Sequence, residues 1–290
     1  LLGVAAVLGR LPAAGGLAFT AMALALALIS GGLLSSTLHL GHPERAWRAV
    51  SQWRTSWLSR EGVLSLATFV PAGLFAVGWL FEGERWGWWG LLAALLAIAT
   101  VCATAMIYAS LKPIRAWNNL WTLPGYLAMG LATGSLWFTL WAEVAPVSQP
   151  RAFIIAVVAL GASALLKRGY WRFLDTNPHA ATAETATGLG RIGKVRMLAA
   201  PHTEENYLMK EMGFRIARKH AEKLRHIAII AGFLAPLVLT LLAMILPDIV
   251  GIILLVLAVL SNAVGTLTER WLFFAEAKHT VTLYYGAETA

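Results

Sequence analysis

The chain has 290 residues, of which 58% are hydrophobic and only 13% charged, and its formal net charge is +8. Soluble domains carry about 25% charged residues, so the composition excludes an ordinary water-soluble fold and points to an integral membrane protein. The single cysteine, Cys102, excludes a cysteine-ligated iron-sulfur cluster or a disulfide within this chain.

A run of about 20 apolar residues crosses the hydrocarbon core as a helix, because a backbone with no water to bond must bond itself. Seven runs are complete: 17–40, 62–81, 88–109, 124–142, 151–168, 226–247 and 249–275. Residues 1–9, LLGVAAVLG, are too few to span and lack an initiator methionine, so they read as the inner half of a truncated first helix. The expectation is an all-α, polytopic membrane bundle of eight transmembrane helices, one transmembrane domain over residues 1–290. The one substantial non-membrane stretch is the basic loop 169–225. Within it, Thr203 followed by Glu204 and Glu205 predicts the start of an amphipathic helix running to Arg225, suited to anionic lipid or to a partner protein.

The segments between helices alternate sides. All 23 Lys and Arg residues except Arg10, Arg85 and Arg151 fall on one side, with all seven histidines. Lys and Arg stay preferentially on the cytoplasmic face, so that side and the C-terminus are expected to be cytoplasmic. Topology accounts for the basic residues, which leaves no case for a nucleic-acid partner. A transmembrane b-type haem needs histidines facing each other within the membrane. His39, His226 and His279 all stand near helix ends on one side, so no haem is expected.

Between the second and third helices lies LHLGHPERAWRAVSQWRTSWLSRE, Leu38 to Glu61. His39 stands at its helix end, where Gly41 and Pro43 stop the helical pattern, with Ser35 one turn behind it. Ser59 reads as the cap of the next helix, which puts Glu61 in the first turn, where the helix dipole favours a carboxylate while burial opposes it. An imidazole and a carboxyl at one membrane depth suit a two-electron, two-proton substrate, and in a bilayer that substrate is a quinone. Arg45, Arg48, Arg54 and Arg60 can stabilise a quinone anion, hold a partner protein or bind acidic lipid headgroups. Trp47, Trp53 and Trp57 read as interfacial anchors. On the last helix, Asn262, Thr266, Glu269, Arg270 and Phe273 fall near one face. Glu269 and Arg270 either line the pocket opposite His39 or form a structural helix-to-helix network.

His39-Leu40-Gly41, Pro43, Arg45-Ala46, Leu58-Ser59 and Glu61 resemble the quinol-site loop of the membrane-anchor subunit of the dimethyl sulfoxide reductase family, the DmsC group of NrfD-like anchors. Trp121-Thr122, Pro124-Gly125 and Arg270 to Phe274 resemble that family too. The long loop 186–225 and the run Gly41 to Trp47 are similar to the anchors of cytoplasmic sulfite dehydrogenases, the Soe type. The resemblance implies eight transmembrane helices and no metal in this chain. It further implies electron exchange between membrane quinone, ubiquinone or menaquinone, and an iron-sulfur subunit that serves a molybdopterin catalytic subunit. It assigns His39 to quinol binding and Glu61 to the acidic residue needed nearby. The expected function is sulfite oxidation coupled to quinone reduction in the bacterial inner membrane. The alternatives are quinol oxidation for a dimethyl sulfoxide reductase and a secondary transporter, against which stands the lack of an inverted repeat.

Overall fold

The computed structural model describes residues 1–38, 41–82, 86–145, 147, 150–176, 181–199, 201, 215–246 and 248–285. It is all-helical, with no β-strand among the described residues. In chain order the helices are α1 Leu2–Val7, α2 Gly15–Leu38, α3 Trp57–Phe81, α4 Gly87–Ala109, α5 Thr122–Val144, α6 Pro150–Thr176, α7 Ala183–Thr187, α8 Arg215–Lys219, α9 Ala221–Ile245, α10 Asp248–Ala275 and α11 Val281–Tyr284. A 3-10 helix, Pro43–Val50, lies between α2 and α3.

Six of these, α2, α3, α4, α6, α9 and α10, are long and apolar enough to cross a membrane. The seventh long helix, α5, coincides with an expected span but is more polar than the other six, and its packing explains why. It lies against α4, α6 and α10. It buries Ser135 and Thr139, whose hydroxyls donate to Ala132 and Ser135 carbonyls of their own helix. A helix lined by other helices has no need of an all-round apolar surface. At the expected truncated first helix, α1 is six residues long and packs on α4.

Two further boundaries differ from expectation. The cap of α3 is Ser56, whose hydroxyl accepts from the Ser59 amide at 3.5 Å, and Ser59 instead donates to the Ala49 carbonyl of the 3-10 helix. Glu61 therefore stands beyond the first turn, where the helix dipole has faded. The loop expected over 169–225 is shorter, because α6 continues helically to Thr176 and α9 begins at Ala221. The stretch from Thr203 to Phe214 of the predicted amphipathic helix lies outside the described residues. The remainder of that helix is divided in two, α8 and α9, which meet at His220.

The α9/α10 contact derives from one proline. Pro236 has no amide hydrogen, so the Gly232 carbonyl one turn earlier loses its helical donor. The chain widens there into a π turn, Ile230–Leu234. Side chains of α10 satisfy the freed carbonyls: Asn262 Nδ2 donates to Gly232 at 2.7 Å and Ser261 Oγ to Ala231 at 2.8 Å. Asn262 Oδ1 accepts from Thr133 on α5 at 3.0 Å, so the same residue ties three helices. The approach requires glycine at 265, where a Cβ would overlap the Gly232 backbone nitrogen, and leaves a Cβ at 232 only a tight 3.3 Å from the Gly265 carbonyl carbon. Gly265→Ala should therefore destabilise the solubilised protein by about 1–3 kcal/mol, read as a lower unfolding midpoint in a denaturant titration. Gly31→Ala, at a glycine facing open space, should leave the midpoint unchanged or raise it.

Candidate functional site

The helices alternate in direction, so the start of α3, the end of α4, the start of α5 and the ends of α6 and α10 converge at the basic end of the bundle. An aromatic core fills this end, with Trp117, Tyr170, Trp171 and Phe273 buried and Tyr108, Trp121, Tyr126 and Phe274 packed on them. The polar side chains that survive among these rings make up the site.

On the α3/α4 side, Thr104 Oγ1 donates to Glu61 Oε1 at 2.6 Å. One turn further along α4, Tyr108 stacks on Tyr126 with ring centroids 6.0 Å apart and meets Trp117, Phe273 and Phe274 edge-on. Tyr108 interacts electrostatically with both Glu61 and Arg270, and so joins the two halves of the site. The Arg270 guanidinium lies 4.4 Å from the centroid of the Tyr126 ring and 4.8 Å from that of Phe273.

Behind that aromatic layer is a buried charge triad. Glu269 is wholly enclosed, pairs with Lys167 of α6, and accepts from Arg270 Nε at 2.5 Å and Nη2 at 2.8 Å. Lys167 is only 7% exposed, and its ammonium also sits 3.9 Å from the Tyr170 ring centroid. A small cleft of about 20 Å3 opens beside the triad, lined by Trp121, Thr122, Tyr126, Ser163, Lys167 and Arg270 among others. Trp121 reaches its place because α6 carries Gly169 opposite, where a Cβ would overlap the indole.

The residues that the sequence brings forward distribute unevenly. Glu61 bonds Thr104, one turn before Tyr108 on α4, and Arg270 lies over Tyr126, the ring stacked on Tyr108. Arg45 is exposed and pairs with Glu44 at 3.6 Å, and Glu44 also engages His42 Nδ1 at 3.0 Å. Arg60 donates to the Trp53 and Arg54 carbonyls at 3.0 and 2.7 Å and stacks over Trp57, fastening the loop to α3. Ser35 is exposed near the end of α2. His39 lies outside the described residues. Among the described residues no group of three His, Cys, Asp or Glu stands close enough to hold a metal ion.

Sequence reasoning misses Lys167, Thr104, Tyr108 and Tyr126. Lys167 reads as the start of the basic loop, yet it lies well inside α6. The available signal is Glu269 itself, since a carboxylate inside a span demands a cation on a neighbouring helix.

The end of the basic loop clamps the bundle. Arg225 pairs with Asp175 at 2.8 Å and Glu276 at 2.7 Å, and Arg218 donates to the Ala275 and Ala277 carbonyls at 2.8 and 3.1 Å, capping α10. Burial raises the affinity of the Glu276 carboxyl for its proton, against the opposing charge of Arg225. Burial, with the Arg218 charge as a second cause, holds the His279 imidazole below its ordinary 6.5. The neutral ring is thus the folded form. Its contribution to stability is full above 6.5 and is lost as pH falls through the lowered folded value. The melting temperature should accordingly drop more in wild type than in His279→Gln between about pH 7 and pH 5, measured by differential scanning fluorimetry in detergent.

Removing Glu269 should be the most damaging change at the site. Glu269→Ala strands two buried cations and should cost about 3–5 kcal/mol, whereas Lys167→Met leaves a matched Glu269 and Arg270 pair and should cost less, both read by unfolding titration.

Fold and site together define a helical membrane subunit whose polar groups gather at one end. The chain belongs to the DMSO reductase anchor subunit (DmsC) family, whose model matches residues 13–286. It is 31% identical over 281 residues to the C subunit of the sulfite dehydrogenase of Allochromatium vinosum, an alignment that spans 90% of this protein and 83% of that one. It is 27% identical over 115 residues to the C polypeptide of the anaerobic dimethyl sulfoxide reductase of Escherichia coli, an alignment that spans 38% of this protein and 39% of that one. No solved structure matches it significantly.

Proposed function

We propose that this protein is the quinone-reactive membrane anchor of a molybdopterin and iron-sulfur oxidoreductase. It passes electrons between the clusters of a partner subunit and quinone in the bacterial inner membrane, in the direction of sulfite oxidation to sulfate. The observation that carries this reading is the gathering at the basic end of the bundle of Glu61, held by Thr104 one turn before Tyr108, and of Arg270 over Tyr126, the ring stacked on Tyr108. Family membership supports an anchor role, and the similarity to a sulfite dehydrogenase subunit over most of both proteins supports sulfite as the partner's substrate. The Lys and Arg bias supports a cytoplasmic site facing the iron-sulfur subunit, with α1 and α5 completing an eight-helix bundle. The shorter match to a dimethyl sulfoxide reductase polypeptide supports the second reading, quinol oxidation toward a reductase.

In this mechanism Glu61 exchanges one proton with the quinone, and its hydrogen bond from Thr104 orients the carboxyl. His39 hydrogen-bonds a quinone oxygen and exchanges the other. Arg270 supplies positive charge on the far side of the Tyr108 and Tyr126 stack, which offsets negative charge arriving with the electrons. Ser35 near the end of α2 and Arg45 in the 3-10 helix flank His39 in sequence, and Arg60 holds the loop on α3.

His39→Ala and Glu61→Gln complexes should retain assembly and activity with an artificial dye while losing about a hundredfold in quinone reduction. Equal loss with dye and quinone would make both residues structural. Mass spectrometry of the gently solubilised complex, with a metal count, should find molybdenum and iron-sulfur subunits. A protein that works alone in liposome uptake would instead be a transporter.

A further inference from the structure

Among the described residues, the buried charges at the basic end do not balance. Glu269 supplies one negative charge against the positive charges of Lys167 and Arg270. The next carboxylate, Glu276, is already engaged by Arg225 and by the Trp171 indole. The triad therefore keeps a net positive charge among aromatic rings, in surroundings where unbalanced charge is costly and a second anion is favoured.

The cleft beside the triad has the form that such an anion needs. Lys167, Arg270, Thr122 and Ser163 line it with polar groups, and the rings of Trp121, Tyr126, Tyr170 and Phe273 wall it. Its space, about 20 Å3, holds an oxygen atom and little more, so a flat ring can present only its oxygen-bearing edge there. Flat aromatic walls suit a planar π-system, and a tetrahedral phosphate gains nothing from them. Tyr126 is also the ring that stacks on Tyr108, so a ligand here stands next to the tyrosine coupled to Glu61.

We propose that this cleft binds the deprotonated, anionic edge of a quinonoid ring, with Lys167 and Arg270 as the cations that select the charged form. The inference rests on the quinone reading above and adds a charge preference and a place for it. Lys167→Met and Arg270→Gln each bring the triad to neutrality by a different route, while Lys167→Arg keeps its net charge.

The test uses the solubilised full-length protein and two probes, an alkylated hydroxynaphthoquinone ionised at neutral pH and its neutral methyl ether. Binding is followed by tryptophan quenching. Wild type and Lys167→Arg should bind the ionised probe about tenfold more tightly than the ether, and Lys167→Met and Arg270→Gln should lose that preference while holding the ether unchanged. Persistence of the preference in both neutralised variants would overturn the assignment, as would equal loss of both probes in either variant with a lowered unfolding midpoint. Displacement of the ionised probe by phosphatidylglycerol vesicles, but not by phosphatidylcholine vesicles, would give the cleft to a lipid phosphate instead. If wild type binds both probes equally, the charge assignment fails and the quinone reading stands. If it binds neither and Glu61→Gln leaves quinone reduction unchanged, the quinone reading itself fails.

Discussion

A carboxylate enclosed between a lysine of a neighbouring helix and the arginine that follows it on its own helix is the constraint on which the basic end of this protein depends. Glu269 has no exposed surface, and a lone charge in such a place would cost several kcal/mol. Lys167 and Arg270 remove that cost only while α6 and α10 keep one register and one rotation. The Gly232 and Gly265 contact and the Asn262 hydrogen bonds fix that rotation one and two turns earlier along the same face of α10. With Glu269 fixed, its neighbour Arg270 is aimed at Tyr126, and the aromatic layer that separates the triad from Glu61 takes its place.

The two halves of the site answer different chemical demands. Glu61 with its Thr104 donor, reached from the α3 and α4 side, is equipped to exchange a proton. The triad beyond Tyr108 and Tyr126 is equipped to hold charge. A two-electron carrier that gains or loses protons needs both functions close together, and the stack of Tyr108 on Tyr126 lies between the Thr104 that holds Glu61 and the Arg270 that covers Tyr126. The Arg225 and Arg218 clamp closes the end of α10 over this arrangement and links it to the basic loop.

The apolar helices are legible in the sequence because span length and hydropathy are properties of a single segment: α2, α4 and α10 begin and end within a few residues of the runs that announce them. Glu61 and Arg270 are legible because charge near or inside a span is rare. The features that escape sequence reasoning depend on which helix faces which. Lys167 looks like the first basic residue of a loop until Glu269 is known to face it. Tyr108 near a helix end reads as another interfacial aromatic until it is seen stacked on Tyr126, the ring that Arg270 covers. Ser59 is a plausible cap, but Ser56 takes that role and the Ser59 hydroxyl goes to the Ala49 carbonyl, a partner that only the folded loop provides. The polar character of α5 is explained in the same way, by neighbours that cover it.

The most direct test of a quinone site at the basic end is to locate the bound carrier itself. A photoreactive azidoquinone, illuminated with the solubilised complex and mapped by peptide mass spectrometry, should label the end of α4 around Tyr108 and the start of α5 around Tyr126. Labelling confined to the opposite end, around Trp86, Trp88 and Trp89, would contradict it.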